Sequence, residues 1–188
     1  MVESLTTAEI DNQIELRKVR FQQVVADIRT VLRADLDAFV MRETKKAFLA
    51  RPDVADSMSA DKVGALKKGA AELGRSLAQR LDAELADLSL WQAGSGDPVN
   101  PRELAGVPGV TAKLHEAEKA VTEFLAGYGL PSEVSYKPPA YFVGGLYMPS
   151  LAEHYWRIVV ETRELEDQKA RLSEQTTREK LQSKWDEA

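Results

Sequence analysis

The chain has 188 residues, about one domain's worth and enough to bury a sizeable core. At 44% hydrophobic and 29% charged residues with a net charge of −5, its composition excludes both a disordered segment and a strongly basic nucleic-acid binder. The absence of cysteine excludes a disulfide scaffold, a thiolate zinc site and a cysteine nucleophile.

All 11 Gly and 8 Pro lie between Pro52 and Pro149. These residues punctuate chains, so two long uninterrupted end segments flank a broken-up middle. The acidic, polar start MVESLTTAEIDNQ lacks the positive-then-apolar order of a secretory signal, and no apolar run approaches the ~18 residues of a membrane span. The expected location is cytoplasmic.

The spacing predicts a first helix over residues 6–50. Thr6-Thr7-Ala8-Glu9 has the form of a capping box, with Leu5 and Ile10 placed as a hydrophobic staple. Ile14, Phe21 and Ile28 recur every seven residues, Val24, Val25, Val31 and Leu32 fill the adjoining rows, and the seam drifts to Leu36, Phe39 and Val40. A second helix is expected over 59–92, capped by Ser59 and striped by Val63, Leu66, Ala70, Leu73, Leu77, Leu81, Leu85 and Leu88. Gly64, Gly69 and Gly74 weaken it by up to about 1 kcal/mol each relative to Ala. Ala93 to Pro98 ends it. A shorter helix over 111–126, with Thr111 as its cap, stops at Gly127-Tyr128-Gly129-Leu130-Pro131.

The stretch 128–149 reads as an aromatic ribbon. From Tyr128 to Trp156 the chain holds 7 of its 13 aromatics. Pro138-Pro139 enforces extension, and Tyr141-Phe142-Val143 and Leu146-Tyr147-Met148 are strand-like around the hairpin signal Gly144-Gly145. Ser150-Leu151-Ala152-Glu153 has the form of a second capping box and opens a last helix over 150–185, with a seam of Leu151, Tyr155, Ile158, Val159, Leu165 and Leu172. Beyond Leu172 the seam thins to Leu181 and Trp185, on one face at i,i+4. Acid-before-base pairs such as Glu153 with Arg157 support the solvated stretch.

The expected fold is therefore mainly α, one domain over 1–188: an elongated helical bundle with two long, coiled-coil-like terminal helices and a short hairpin or ribbon before the last. End helices this long cannot be buried wholly against a compact core, so their stripes must pack on each other, on a second copy or on a partner. A homodimer through the Ile14 to Val40 and Leu151 to Leu172 stripes is the simplest expectation.

Catalytic and metal motifs fail on inspection. His115-Glu116 begins like the helical zinc motif, but Lys119 stands where the second imidazole is needed, and His154 belongs to another helix. Gly64 to Gly69 has phosphate-loop spacing but runs on to Ala70 and Ala71 instead of Lys and Ser/Thr. Gly127 and Gly129 are followed by Ser132 where a dinucleotide fingerprint needs glycine. No catalytic, cofactor-binding or metal-ligating residue is assigned, and no cofactor is expected.

The leading expectation is a non-enzymatic interaction or assembly protein that self-associates and binds a protein partner. Its candidate contact residues are Tyr136, Tyr141, Phe142, Tyr147, Trp156 and Arg157, with Leu181 and Trp185 as a second anchor, because aromatics and Arg dominate interface cores. The alternative is weak nucleic-acid association through the basic cluster Arg42, Lys45, Lys46 and Arg51, although neighbouring acids and the negative balance argue against a continuous phosphate-binding face. The third is an enzyme whose site is scattered in sequence.

Overall fold

A computed structural model describes residues 5–86 and 110–187. These form α1 (Thr7–Ala50), α2 (Pro52–Ser57), α3 (Ala60–Ala86), α4 (Val110–Gly127), the strands β1 (Phe142–Val143) and β2 (Leu146–Tyr147), and α5 (Met148–Asp186). The fold is mainly α, with the two long end helices and the small hairpin expected from the sequence. The expected continuation of the second helix over 87–92, and the break after it, lie outside the described residues.

The start of α1 is the predicted capping box: the Glu9 amide donates to Thr6 Oγ1 at 3.3 Å and the Thr6 amide to Glu9 Oε2 at 2.7 Å. From there the helix runs 44 residues, about 66 Å at 1.5 Å per residue. Its stripe is buried from Ile10 to Ala47, but against two successive neighbours. α5 lies antiparallel on the N-terminal half, where Phe21 meets Tyr155 with ring centroids 5.1 Å apart. Arg17 reaches Glu161 and Lys169 reaches Asp11 there. α3 lies antiparallel on the C-terminal half, where Arg29 grips Asp82 through Nε at 2.9 Å and Nη2 at 3.1 Å.

The stripes offered as a dimer seam are thus consumed inside one chain. Ile14, Phe21, Val24, Ile28 and Leu36 are buried together with Tyr155, Ile158, Val159 and Leu165. Of the three ways to cover the end helices, packing within the chain is the one realised, which removes the reason to place a homodimer on these residues. Past Leu172 the pairing runs out, and residues 173–186 of α5 are exposed throughout.

α3 begins as expected, the Lys62 amide donating to Ser59 Oγ at 3.3 Å. α4 ends in a Schellman motif: Leu130 N–H reaches Leu125 O and Gly129 N–H reaches Ala126 O, both at 3.0 Å, with Gly129 at φ 73°. Leu130, just past this turn, is fully buried, the hydrophobic contact that usually accompanies the motif. In the hairpin Phe142 pairs with Tyr147 and Val143 with Leu146. Gly144 and Gly145 both take positive φ, 56° and 81°, as a type I′ turn requires.

The second capping box does not form. α5 starts two residues earlier, at Met148, with Tyr147 as N-cap, no side-chain cap and Pro149 in the first turn. Strand β2 feeds directly into the helix, and Pro149 fits there because its missing N–H is one the first turn leaves unpaired anyway. Glu153 pairs with Arg157 at 3.5 Å.

Candidate functional site

The most concentrated polar chemistry among the described residues lies where the extended segment after α4 crosses the middle of α1. Asp35 sits on the buried stripe of α1, flanked one turn away on either side by Val31 and Phe39. An ionised carboxylate is costly to bury unless several donors satisfy it. Three do: Tyr141 Oη donates to Oδ1 at 2.6 Å, Arg42 Nη1 to the same oxygen at 3.1 Å, and Tyr136 Oη to Oδ2 at 2.9 Å.

Tyr136 is buried, and its ring meets Phe39 edge-on with centroids 4.8 Å apart. Its backbone N–H donates to Glu118 Oε1 on α4 at 2.7 Å. One residue therefore ties the extended segment to two helices. Tyr141 differs, since its hydroxyl is fixed on Asp35 while its ring remains 53% exposed. Beside it, Phe142 is 70% exposed and stacks on its cross-strand partner Tyr147, with centroids 5.1 Å apart and planes at 24°.

The residues expected to form one aromatic surface thus divide. Phe142 and Tyr147 stack together on the hairpin, and Tyr141 sits just before β1 with its hydroxyl on Asp35. Tyr136 lies beneath them as support. Trp156 is buried against Tyr155, ring centroids 5.2 Å apart and nearly perpendicular, on the helix face it shares with the buried Ala152 and Val159 one turn away on either side. Arg157 is exposed and engaged by Glu153. Leu181 and Trp185 are exposed on the unpaired end of α5, remote in sequence and contacts from the hairpin.

The basic cluster is largely neutralised. Arg42 bonds Asp35, Lys46 lies 3.5 Å from Glu43, and Arg51 bonds Asp53 through two nitrogens. Only Lys45 of the four lacks a carboxylate partner among the described residues. His115 and His154 are exposed on different helices, and no group of three or more potential metal-ligating side chains occurs among the described residues.

Asp35 is the residue of this cluster that reading by apolar spacing passes over. The available signal was a charge placed on the stripe itself, four residues after Val31 and four before Phe39. Its tyrosine partners, 101 and 106 residues further along, carry no local mark of the pairing.

The phenols give the fold an alkaline limit. Burial, then the Asp35 charge and hydrogen bond, raise the Tyr136 hydroxyl well above the ordinary tyrosine range; burial alone does the same to Tyr155. A raised pKa means the folded state holds the proton more tightly. The associated stability is therefore complete below pH ~10 and is lost as pH climbs above it, by about 1.4 kcal/mol per pH unit for each such tyrosine. Chemical denaturation from pH 9 to 11 is expected to show this decline, and Tyr136→Phe to remove about one proton's share of the slope. An unchanged slope in that variant would refute the assignment.

No protein-family model matches the chain, and no curated protein or solved structure is significantly similar to it.

Proposed function

We propose that this chain is a non-catalytic helical interaction module that binds a protein partner through the hairpin rim formed by Tyr141, Phe142 and Tyr147. The carrying observation is the combination of exposure and immobility: Phe142 is 70% exposed yet stacked on Tyr147 and held in a two-residue strand. The neighbouring Tyr141 is anchored by its hydroxyl. Aromatic rings already ordered lose little conformational freedom on binding, which is what makes such residues strong contact points.

The polar cluster supports the same reading. Both oxygens of Asp35 are occupied by donors from its own chain, so the carboxylate serves to hold the hairpin rather than to exchange protons with a substrate.

Phe142→Ser is the direct test. The side chain is mostly in solvent, so the unfolding free energy is expected to stay within about 0.5 kcal/mol of wild type. Quantitative proximity labelling is expected to lose at least one protein that wild type and Trp185→Ser both retain. Identical profiles for wild type and Phe142→Ser would overturn the proposed surface.

A further inference from the structure

The face of α1 turned away from the core carries a second seam. Asn12, Leu16, Val19, Gln23, Ala26 and Thr30 recur at alternating intervals of four and three, the spacing of a coiled-coil contact line, and every one is exposed. The two ends of this seam differ in shape. At the N-terminal end Leu16 and Val19 project, 60% and 70% exposed. Toward the other end Ala26, Thr30 and Ala34 floor a groove of about 640 Å³ between α1 and α3, walled by Arg33 and Arg75. Neither guanidinium has a carboxylate partner within ion-pair distance among the described residues.

We propose that this face is a homodimer interface, in which α1 of a second copy lies antiparallel across it about a two-fold axis near Gln23. The inference deepens the self-association expected of an interaction module and does not depend on the hairpin. An isologous contact needs one surface that complements itself, and the two ends of the seam do so. With Gln23 central, Leu16 of one copy sits over Thr30 and Ala34 of the other, and Val19 over Ala26 and Thr30: large side chains enter the groove, twice.

The charges agree with this register. Glu15 of one copy comes opposite Arg33 of the other, and Arg20 opposite Asp27, each pair on its own flank of the seam. Today Glu15 holds Lys18 at 2.6 Å and Asp27 accepts from Gln23 at 3.1 Å. Both are exposed contacts within one turn, worth little and easily exchanged.

The cysteine-free chain makes the geometry testable with single substitutions. Sedimentation equilibrium is expected to show a wild-type dimer, weakened at least about tenfold by Leu16→Glu and by either Glu15→Arg or Arg33→Glu. Combining Glu15→Arg with Arg33→Glu is expected to restore it. Under mild oxidation Gln23→Cys is expected to cross-link, whereas Val19→Cys is not, its two copies standing about 12 Å apart along the axis. A wild-type chain that stays monomeric to millimolar concentration overturns both the interface and the self-association reading. A dimer that ignores these substitutions, or that cross-links through Leu181→Cys instead of Gln23→Cys, overturns this interface alone.

Discussion

Asp35→Ala is expected to cost about 3 kcal/mol of folding stability, most of it from groups other than the one removed. The carboxylate accepts from two phenols and a guanidinium. Deleting it leaves the Tyr136 hydroxyl buried without an acceptor, and an unsatisfied buried donor costs roughly 1–3 kcal/mol. Tyr141 and Arg42 lose less, because the Tyr141 ring and the Arg42 side chain are about half exposed and water can replace the missing oxygen. Relief from burying a carboxylate offsets part of the total.

Conservative variants separate the hydrogen-bonding role from simple packing. Asp35→Asn keeps the shape and one acceptor, and a phenol can accept as well as donate, so its expected cost is about 1 kcal/mol. Tyr136→Phe leaves the carboxylate two donors and is expected to cost a similar amount. The double variant Asp35→Ala with Tyr136→Phe should then cost clearly less than the sum of its parts, by about 1 kcal/mol or more, the mark of two groups acting on each other. In Asp35→Ala, amide exchange over 131–147 is expected to rise more than exchange in the middle of α3, because the extended segment loses its main polar tie. Loss under about 1 kcal/mol with unchanged exchange would mean the cluster does not hold the hairpin in place.

The same cluster shows where sequence reading stops. The starts of α1 and α3, the Gly144-Gly145 turn and the stripe of α1 were legible because each is written in neighbouring residues: a capping Thr or Ser, two glycines between strand-like runs, apolar side chains at helical spacing. The pairing of Asp35 with the ribbon was not, because its two tyrosine partners lie about a hundred residues away and nothing local distinguishes Tyr136 and Tyr141 from the other aromatics of the ribbon. Trp156 was read as surface because the seam through Tyr155, Ile158 and Val159 looked narrower than it is: Trp156 and Ala152 are buried as well, and how wide a stripe is covered depends on the neighbouring helix, not on local spacing. The way α1 changes partner halfway, from α5 to α3, also lies beyond periodicity. One continuous stripe fits either neighbour, so spacing alone cannot say which helix covers which half, or that both belong to the same chain.

Glycine in α3 gives the sharpest contrast between propensity and packing. On propensity alone Gly64, Gly69 and Gly74 are equivalent, and replacing any of them with alanine should stabilise the helix by about 1 kcal/mol. Packing separates them. A Cβ at Gly64 meets nothing within 4 Å, so Gly64→Ala is expected to gain about 0.5–1 kcal/mol. At Gly69 the nearest atom, 2.9 Å away, is the far edge of the Phe124 ring. A ring edge can shift, and the gain and the cost should nearly cancel. At Gly74 the added carbon would lie 2.7 Å from the backbone carbonyl oxygen of Asp37 and 3.1 Å from its Oδ1. A backbone carbonyl inside a helix cannot turn aside, so α1 and α3 must move apart along their longest contact. Overpacking of this kind costs about 1–3 kcal/mol, which outweighs the propensity gain and leaves Gly74→Ala destabilised by about 1–2 kcal/mol, with Gly74→Val worse. Urea unfolding of the three alanine variants at constant m-value is expected to order them Gly64→Ala, Gly69→Ala, Gly74→Ala from most to least stable. If Gly74→Ala matched Gly64→Ala, the close crossing of α1 and α3 that forms the wall of the Arg33 groove would be wrong.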